Sequence, residues 1–138
     1  ESSMPKNLMP AFFSAATISS CLFIDLPEMR VNSSNKFFDT LASGTPVFLN
    51  FGGWMHDLVV KHACGISAWG LPLSSVAKQL DHCLNDEEWV SMSGQSAKRL
   101  AHEYFDRDLL ASKLEKVLRC SVEGASFMAE IIAPGDYS

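Results

Sequence analysis

The sequence predicts an α/β domain: a parallel sheet with flanking helices. Three observations carry that expectation. Short apolar or β-branched runs alternate with amphipathic stretches through the first half of the 138 residues, and strand–helix alternation is the signature of a parallel sheet. Apolar residues make up 47% and charged residues 20%, an ordinary globular balance for one core that needs no disulfide or metal staple. The second half then changes texture to three consecutive helical patterns, so strands and helices are both present.

Taken in order, Asn7 is placed to cap a short helix running to about Ala15, with Pro10 in the first turn, where a missing N–H does no harm. Thr17 to Ile24 reads as a buried strand, and Leu26 to Ser34 as a loop. Asn35 to Ala42 carries Phe37, Phe38, Leu41 and Ala42 at helical offsets, and Gly44 is placed for a left-handed cap. Pro46 to Asn50 is a second strand, followed by the tight Gly52-Gly53 loop. Trp54 to Ala63 reads as a helix closed by Gly65, Ile66 to Trp69 as a third strand, and Gly70 to Leu73 as a loop. Ser74 or Ser75 is expected to cap a helix through Leu84, Asp86 one through about Tyr104, and Asp106 a last one with the stripe Leu109, Leu110, Leu114, Val117 and Leu118. After Cys120 no period is clear, but Phe127, Met128, Ile131 and Ile132 are apolar enough to dock on something.

Several function classes are disfavoured. The net charge is −5, and no basic run is longer than Lys98-Arg99, so the clustered cations of a nucleic-acid face are absent from the sequence. No apolar run approaches the roughly 18 residues of a bilayer span, and the first residues do not have the pattern of a signal peptide, so a soluble, cytoplasmic protein is expected. Cys21, Cys64, Cys83 and Cys120 form no Cys-x-x-Cys pair and read as reduced thiols packed as small hydrophobes rather than a metal site. His56 and His62 fall on different helix faces, and His82 and His102 on polar faces. Ser33 and Ser34 lack the context of a nucleophile elbow. Glu87, Glu88 and Glu103 read as cap and surface charges.

Chemistry is expected at the carboxyl ends of the strands, where loops lead into helix N-termini. Arg30 to Lys36 is one such loop. Its small polar residues leave backbone N–H groups uncovered, the helix start favours an anion, and Ser33, Ser34, Asn35 and Lys36 add donors. Asp39, one turn further on, suits a ribose diol. The competing reading is a capped surface helix with a solvated Lys and Asp. Asn50 to Trp54 is the second loop: Gly52 and Gly53 permit close backbone approach, and Trp54 either walls a ligand or packs in the core.

The stretch Asn35-Lys36-Phe37-Phe38-Asp39-Thr40-Leu41-Ala42-Ser43-Gly44-Thr45-Pro46-Val47, continued by Asn50-Phe51-Gly52-Gly53-Trp54, resembles the donor-binding half of group 1 (family 4) glycosyltransferases. The likeness runs from about Pro5 to Leu118, including the small-residue helix Ala11–Ala16 and the helix start Asn85-Asp86-Glu87. It is strongest towards bacterial O-antigen and capsule enzymes that transfer N-acetylfucosamine-type sugars. The resemblance implies the C-terminal half of a GT-B fold. Residues 1–120 are then a Rossmann-like nucleotide-sugar-binding domain lacking its first units, and 121–138 a tail. It implies a retaining transfer from a UDP-sugar to a lipid-linked acceptor, with no metal or other cofactor. Acceptor binding and the catalytic residues would lie in a further N-terminal domain, and the whole enzyme would associate peripherally with the inner membrane face. By the same resemblance Asp39 holds the ribose, Ser33, Ser34, Asn35 and Lys36 cradle the diphosphate, and Gly52 and Gly53 lie near the sugar. Two departures stand out. Val31 occupies the position where many members carry a glutamate, and the ribose acid is Asp rather than Glu. The alternative is a non-catalytic receiver-like or flavodoxin-like binding module. Against it, only Asp25 is placed for a receiver's acidic cluster, and no Ser/Thr-rich phosphate loop follows Ile24.

Overall fold

The computed structural model describes residues 5–24 and 26–123. They divide into two compact units, one ending at Tyr104 and one beginning at Phe105.

The first unit is mixed α/β around an open three-stranded parallel sheet, in which β1 (Ser19–Cys21), β2 (Val47–Leu49) and β3 (Gly65–Ser67) lie in sequence order. Val47 stands opposite Ser19 on one side and Gly65 on the other. Helix α1 (Met9–Ser14) precedes the sheet, and α2 (Asn35–Ser43) and α3 (Trp54–His62) form the two crossovers. Helices α4 (Leu73–Leu84) and α5 (Glu87–Phe105) follow. The core is built from Phe37 and Leu41 of α2, Val47 and Leu49 of β2, Met55 and Val59 of α3, Ile66 of β3 and Leu100 of α5. Among the described residues no helix is long and apolar enough to cross a membrane.

Several local expectations are corrected. Asn7 does not cap α1. A 3₁₀ turn at Lys6–Leu8 feeds the chain in, Leu8 takes the cap position without a side-chain bond, and Pro10 sits in the first turn as expected. The ladder of β1 covers only part of Thr17–Ile24. Beyond Cys21 the Asn50 side chain replaces the next rung: the Phe23 N–H donates to Asn50 Oδ1 at 2.9 Å, and Asn50 Nδ2 donates to the Phe23 carbonyl at 2.9 Å. The supposed loop after β1 contains a 3₁₀ turn, Pro27–Val31.

Helix α3 ends on Ala63 in the left-handed region (φ 49°), not through Gly65. Stopping there lets Cys64 enter the core and its carbonyl accept from the Val47 N–H at 3.1 Å. Gly65 serves a different purpose, since a Cβ there would run into the Val47 backbone of the neighbouring strand. Helix α4 starts at Leu73, with Pro72 rather than Ser74 or Ser75 at the cap. The Pro72 carbonyl accepts from Ser75 and Val76. The remaining cap expectations hold: Asp86 Oδ1 accepts from the Trp89 N–H, and Asp106 Oδ1 from Asp108 and Leu109, each at 3.0 Å.

Helix α2 ends as the sequence predicts, on Gly44 at φ 71°. Helix α5 approaches that cap so closely that a Cβ on Gly94 would strike the Gly44 carbonyl, so the small residue permits the packing. Beside it, Thr45 Oγ1 donates to the Phe13 carbonyl at 2.8 Å and Thr40 Oγ1 to Ser19 Oγ at 3.0 Å.

The second unit contains α6 (Arg107–Glu123), braced by a two-pronged Arg119–Glu115 pair one turn apart. Helix α6 includes residues 121–123 of the expected tail. The docking residues Phe127, Met128, Ile131 and Ile132 lie outside the described residues. Cys21, Cys64 and Cys83 are buried free thiols and Cys120 is half-buried. Burial pushes the Cys64 thiol up to about 11.

Candidate functional site at the carboxyl edge of the sheet

After the Pro27–Val31 turn the chain runs extended through Asn32, and Ser34 takes the cap position of α2 with extended backbone (φ −88°, ψ 125°). The Ser34 hydroxyl makes no cap bond; only its carbonyl is engaged, accepting from the Phe37 N–H at 3.0 Å. Phe37 and Leu41 are fully buried, which fixes the rotation of α2 and leaves Ser33, Asn35, Lys36 and Asp39 exposed and Ser34 half-buried. The amides of an α-helix's first turn have no intrahelical acceptors, so this start presents N–H groups, hydroxyls and one ammonium together. That is anion-binding chemistry.

The glycine loop meets this helix start. Gly53, at φ 102°, packs so tightly on Arg30 that a Cβ would overlap the Arg30 carbonyl. Trp54 Nε1 donates to the Asn32 carbonyl at 3.1 Å. The Trp54 ring stacks on Phe38 (6.0 Å, 28°) and meets Phe37 edge-on (5.8 Å, 82°). Trp54, half-buried, therefore braces the two loops against each other. Gly52 is buried, and a Cβ there would lie 2.6 Å from the Trp69 indole.

Sequence reasoning missed what completes this edge. Arg30 lies over the Trp69 ring at 4.6 Å, a cation–π contact that joins the loop after β1 to the loop after β3. Ser67 Oγ sits 2.7 Å from His56 Nδ1 and accepts the Trp69 N–H at 3.3 Å, fixing the backbone that aims the indole. The sequence pattern ends a strand at Trp69, whereas β3 stops at Ser67. The available signal was Gly52-Gly53 itself, since a pair of glycines after a strand announces that something large lies against it.

Asp39 stands apart from this edge. It opens into a hollow of about 240 Å³ between α1, α2 and α5. Pro10, Phe13 and Ala42 form the apolar wall, and Ser14, Ser43 and Lys98 share the polar side with Asp39. None of Ser33, Ser34, Asn35, Lys36, Gly52 or Gly53 lines it. Along the α2 axis Asp39 lies about 6 Å from Asn35, four residues at ~1.5 Å each.

Elsewhere in this unit, His62 carries the buried polar atom without a partner among the described residues, Nε2, with its ring edge-on to Tyr104 at 5.5 Å. Burial lowers its pKa below 6.5, Lys61 and Arg99 push the same way, and Glu103 opposes them. His82 and His102 are exposed. Among the described residues no three His, Cys, Asp or Glu side chains gather in a metal-ligand group.

No protein-family model, curated protein or solved structure matches the chain significantly. The functional reading therefore rests on this geometry and on the motif resemblance.

Proposed function

We propose that this chain binds the diphosphate of a UDP-sugar, as the Rossmann-like donor side of a retaining GT-B glycosyltransferase acting on lipid-linked saccharides of surface polysaccharide synthesis. The observation that carries the reading is the joining of the two motif loops at one edge of a parallel sheet: Gly53 against Arg30, Trp54 bonded to Asn32, and the open start of α2 beside them. Ligands of open α/β sheets bind outside the carboxyl ends of the strands, the edge these loops occupy.

In this reading the Asn35 and Lys36 amides, the Ser33 and Ser34 hydroxyls and the Lys36 ammonium hold the diphosphate. During transfer the leaving diphosphate gains negative charge, and donors already in position stabilise it without reorganising. Asp39 accepts hydrogen bonds from the ribose diol one helical turn away. Backbone at Gly52 and Gly53 lies next to the sugar. Acceptor binding and the remaining catalytic groups belong to the companion domain that the resemblance implies, working at the inner membrane face.

The test is titration of this chain with UDP, followed by NMR. With only these contacts the affinity is expected on the order of millimolar, near −4 kcal/mol. Amide shifts should concentrate at 31–39 and 52–54, and shifts confined to other regions would remove the assignment. Asp39→Asn keeps the shape but removes the charged acceptor, about 1.5–3 kcal/mol, so UDP should bind roughly ten- to a hundredfold more weakly with unchanged folding stability. A variant that unfolds while its folded fraction binds normally makes Asp39 structural instead.

A further inference from the structure

The hollow beside Asp39 holds two opposite charges that do not pair. Asp39 comes from α2 and Lys98 from α5, and both line it. Among the described residues neither the carboxylate nor the ammonium has a hydrogen bond or an ion pair with a protein group. Ser43 Oγ donates to the Asp39 carbonyl at 2.7 Å, leaving its oxygen as an acceptor. The exposed Lys98 stem runs over the end of α2: a Cβ on Gly44 would lie 3.7 Å from Lys98 Cβ and Cδ. Opposite charges across a small cavity that remain apart leave room for a ligand offering donors to one and acceptors to the other. Phe13 and Pro10 add an apolar wall for a ring. At about 240 Å³ the hollow lies below the roughly 300–1,000 Å³ of whole-ligand sites, so it suits one end of a larger molecule.

We infer that Lys98 is a nucleoside-binding residue, its ammonium donating to acceptor oxygens of the nucleoside whose diol Asp39 accepts. The inference rests on the nucleotide reading above. It adds to that reading a contact from α5, an element that carries none of the motif residues, and extends the ligand from the start of α2 along the helix towards Ala42.

The experiment compares UDP with inorganic pyrophosphate on the wild-type chain and on Lys98→Gln and Lys98→Arg, read by NMR and by thermal unfolding. Pyrophosphate should shift amides at 33–36 only, whereas UDP should also shift Asp39, Ser43 and Lys98. Lys98→Gln should weaken UDP about tenfold, the size expected for one bond to a charged group, and leave pyrophosphate unchanged, while Lys98→Arg restores most of the UDP affinity. Wild-type UDP affinity in Lys98→Gln with a lowered unfolding temperature overturns the inference and makes Lys98 a cation at the negative end of α2. UDP shifts at 33–36 without any at 39, 43 and 98 also overturn it and take the ribose role from Asp39, leaving the diphosphate contact standing. If neither ligand moves 33–36, the nucleotide reading falls and the inference with it.

Discussion

The two ends of α2 are both rich in small polar residues, yet they are treated in opposite ways. At its C-terminal end the polar atoms are spent: Gly44 closes the helix, Thr45 bonds Phe13, Thr40 bonds Ser19, and α5 presses Gly94 onto the Gly44 carbonyl. At its N-terminal end Ser34 makes no cap bond, and Ser33, Asn35 and Lys36 face solvent. A buried polar group must be satisfied or it costs free energy, whereas an exposed one is satisfied by water and stays available. The difference separates the end that carries the packing bonds from the end whose donors stay free for a diphosphate.

The sharpest way to break this comparison is at the packed end. Gly94→Ala places a methyl against the Gly44 carbonyl, and overpacking of this kind costs about 1–3 kcal/mol even though alanine is the better helix former by ~1 kcal/mol. Chemical denaturation should show that loss. If the variant is instead stabilised, α5 does not press on α2 as described.

A smaller effect compares two helix starts. Asp86→Ala removes a working cap and should cost ~1 kcal/mol, while Ser34→Ala removes no cap bond and should change stability by less than about 0.5 kcal/mol. The same Ser34→Ala should weaken UDP binding measurably. A stability loss at Ser34 equal to that at Asp86 would mean that the start of α2 is capped in solution.

The smallest expected effect concerns half-buried His62, whose Nε2, unlike the exposed groups at the start of α2, is shut off from water and has no partner among the described residues. Its folded-state pKa is lowered by burial, so as pH falls through 6.5 the unfolded chain takes up a proton that the native ring resists. Stability should therefore fall with decreasing pH in this window, and His62→Phe should flatten the slope. An equal slope in both proteins would assign the pH dependence to other groups.

Much of this molecule is legible locally. Phe37 and Leu41 at helical spacing, Gly44 after them, and Asp86 and Asp106 before apolar runs act through bonds within a few residues, and each appears where its pattern places it. The strand ends were not legible, because Asn50 substitutes for a ladder rung across 27 residues and no local pattern announces that. Gly65 shows the same limit. Its neighbourhood suggests a helix end, but Val47 of the next strand decides its use, and Ala63 takes the left-handed cap.

For the candidate site, the sequence by itself determined the chemistry: donors at the start of α2, an acid one turn on, and glycines where backbone approaches closely. The tertiary structure alone decided the grouping. It joined the glycine loop to the helix start through Arg30 and Asn32, committed Trp54 to bracing and brought Trp69 onto Gly52. It also brought Asp39 and Lys98 to one hollow. The reason is that residue type sets what a side chain can bond, whereas its neighbours across the fold depend on the crossovers and on the rotation imposed by burying Phe37 and Leu41.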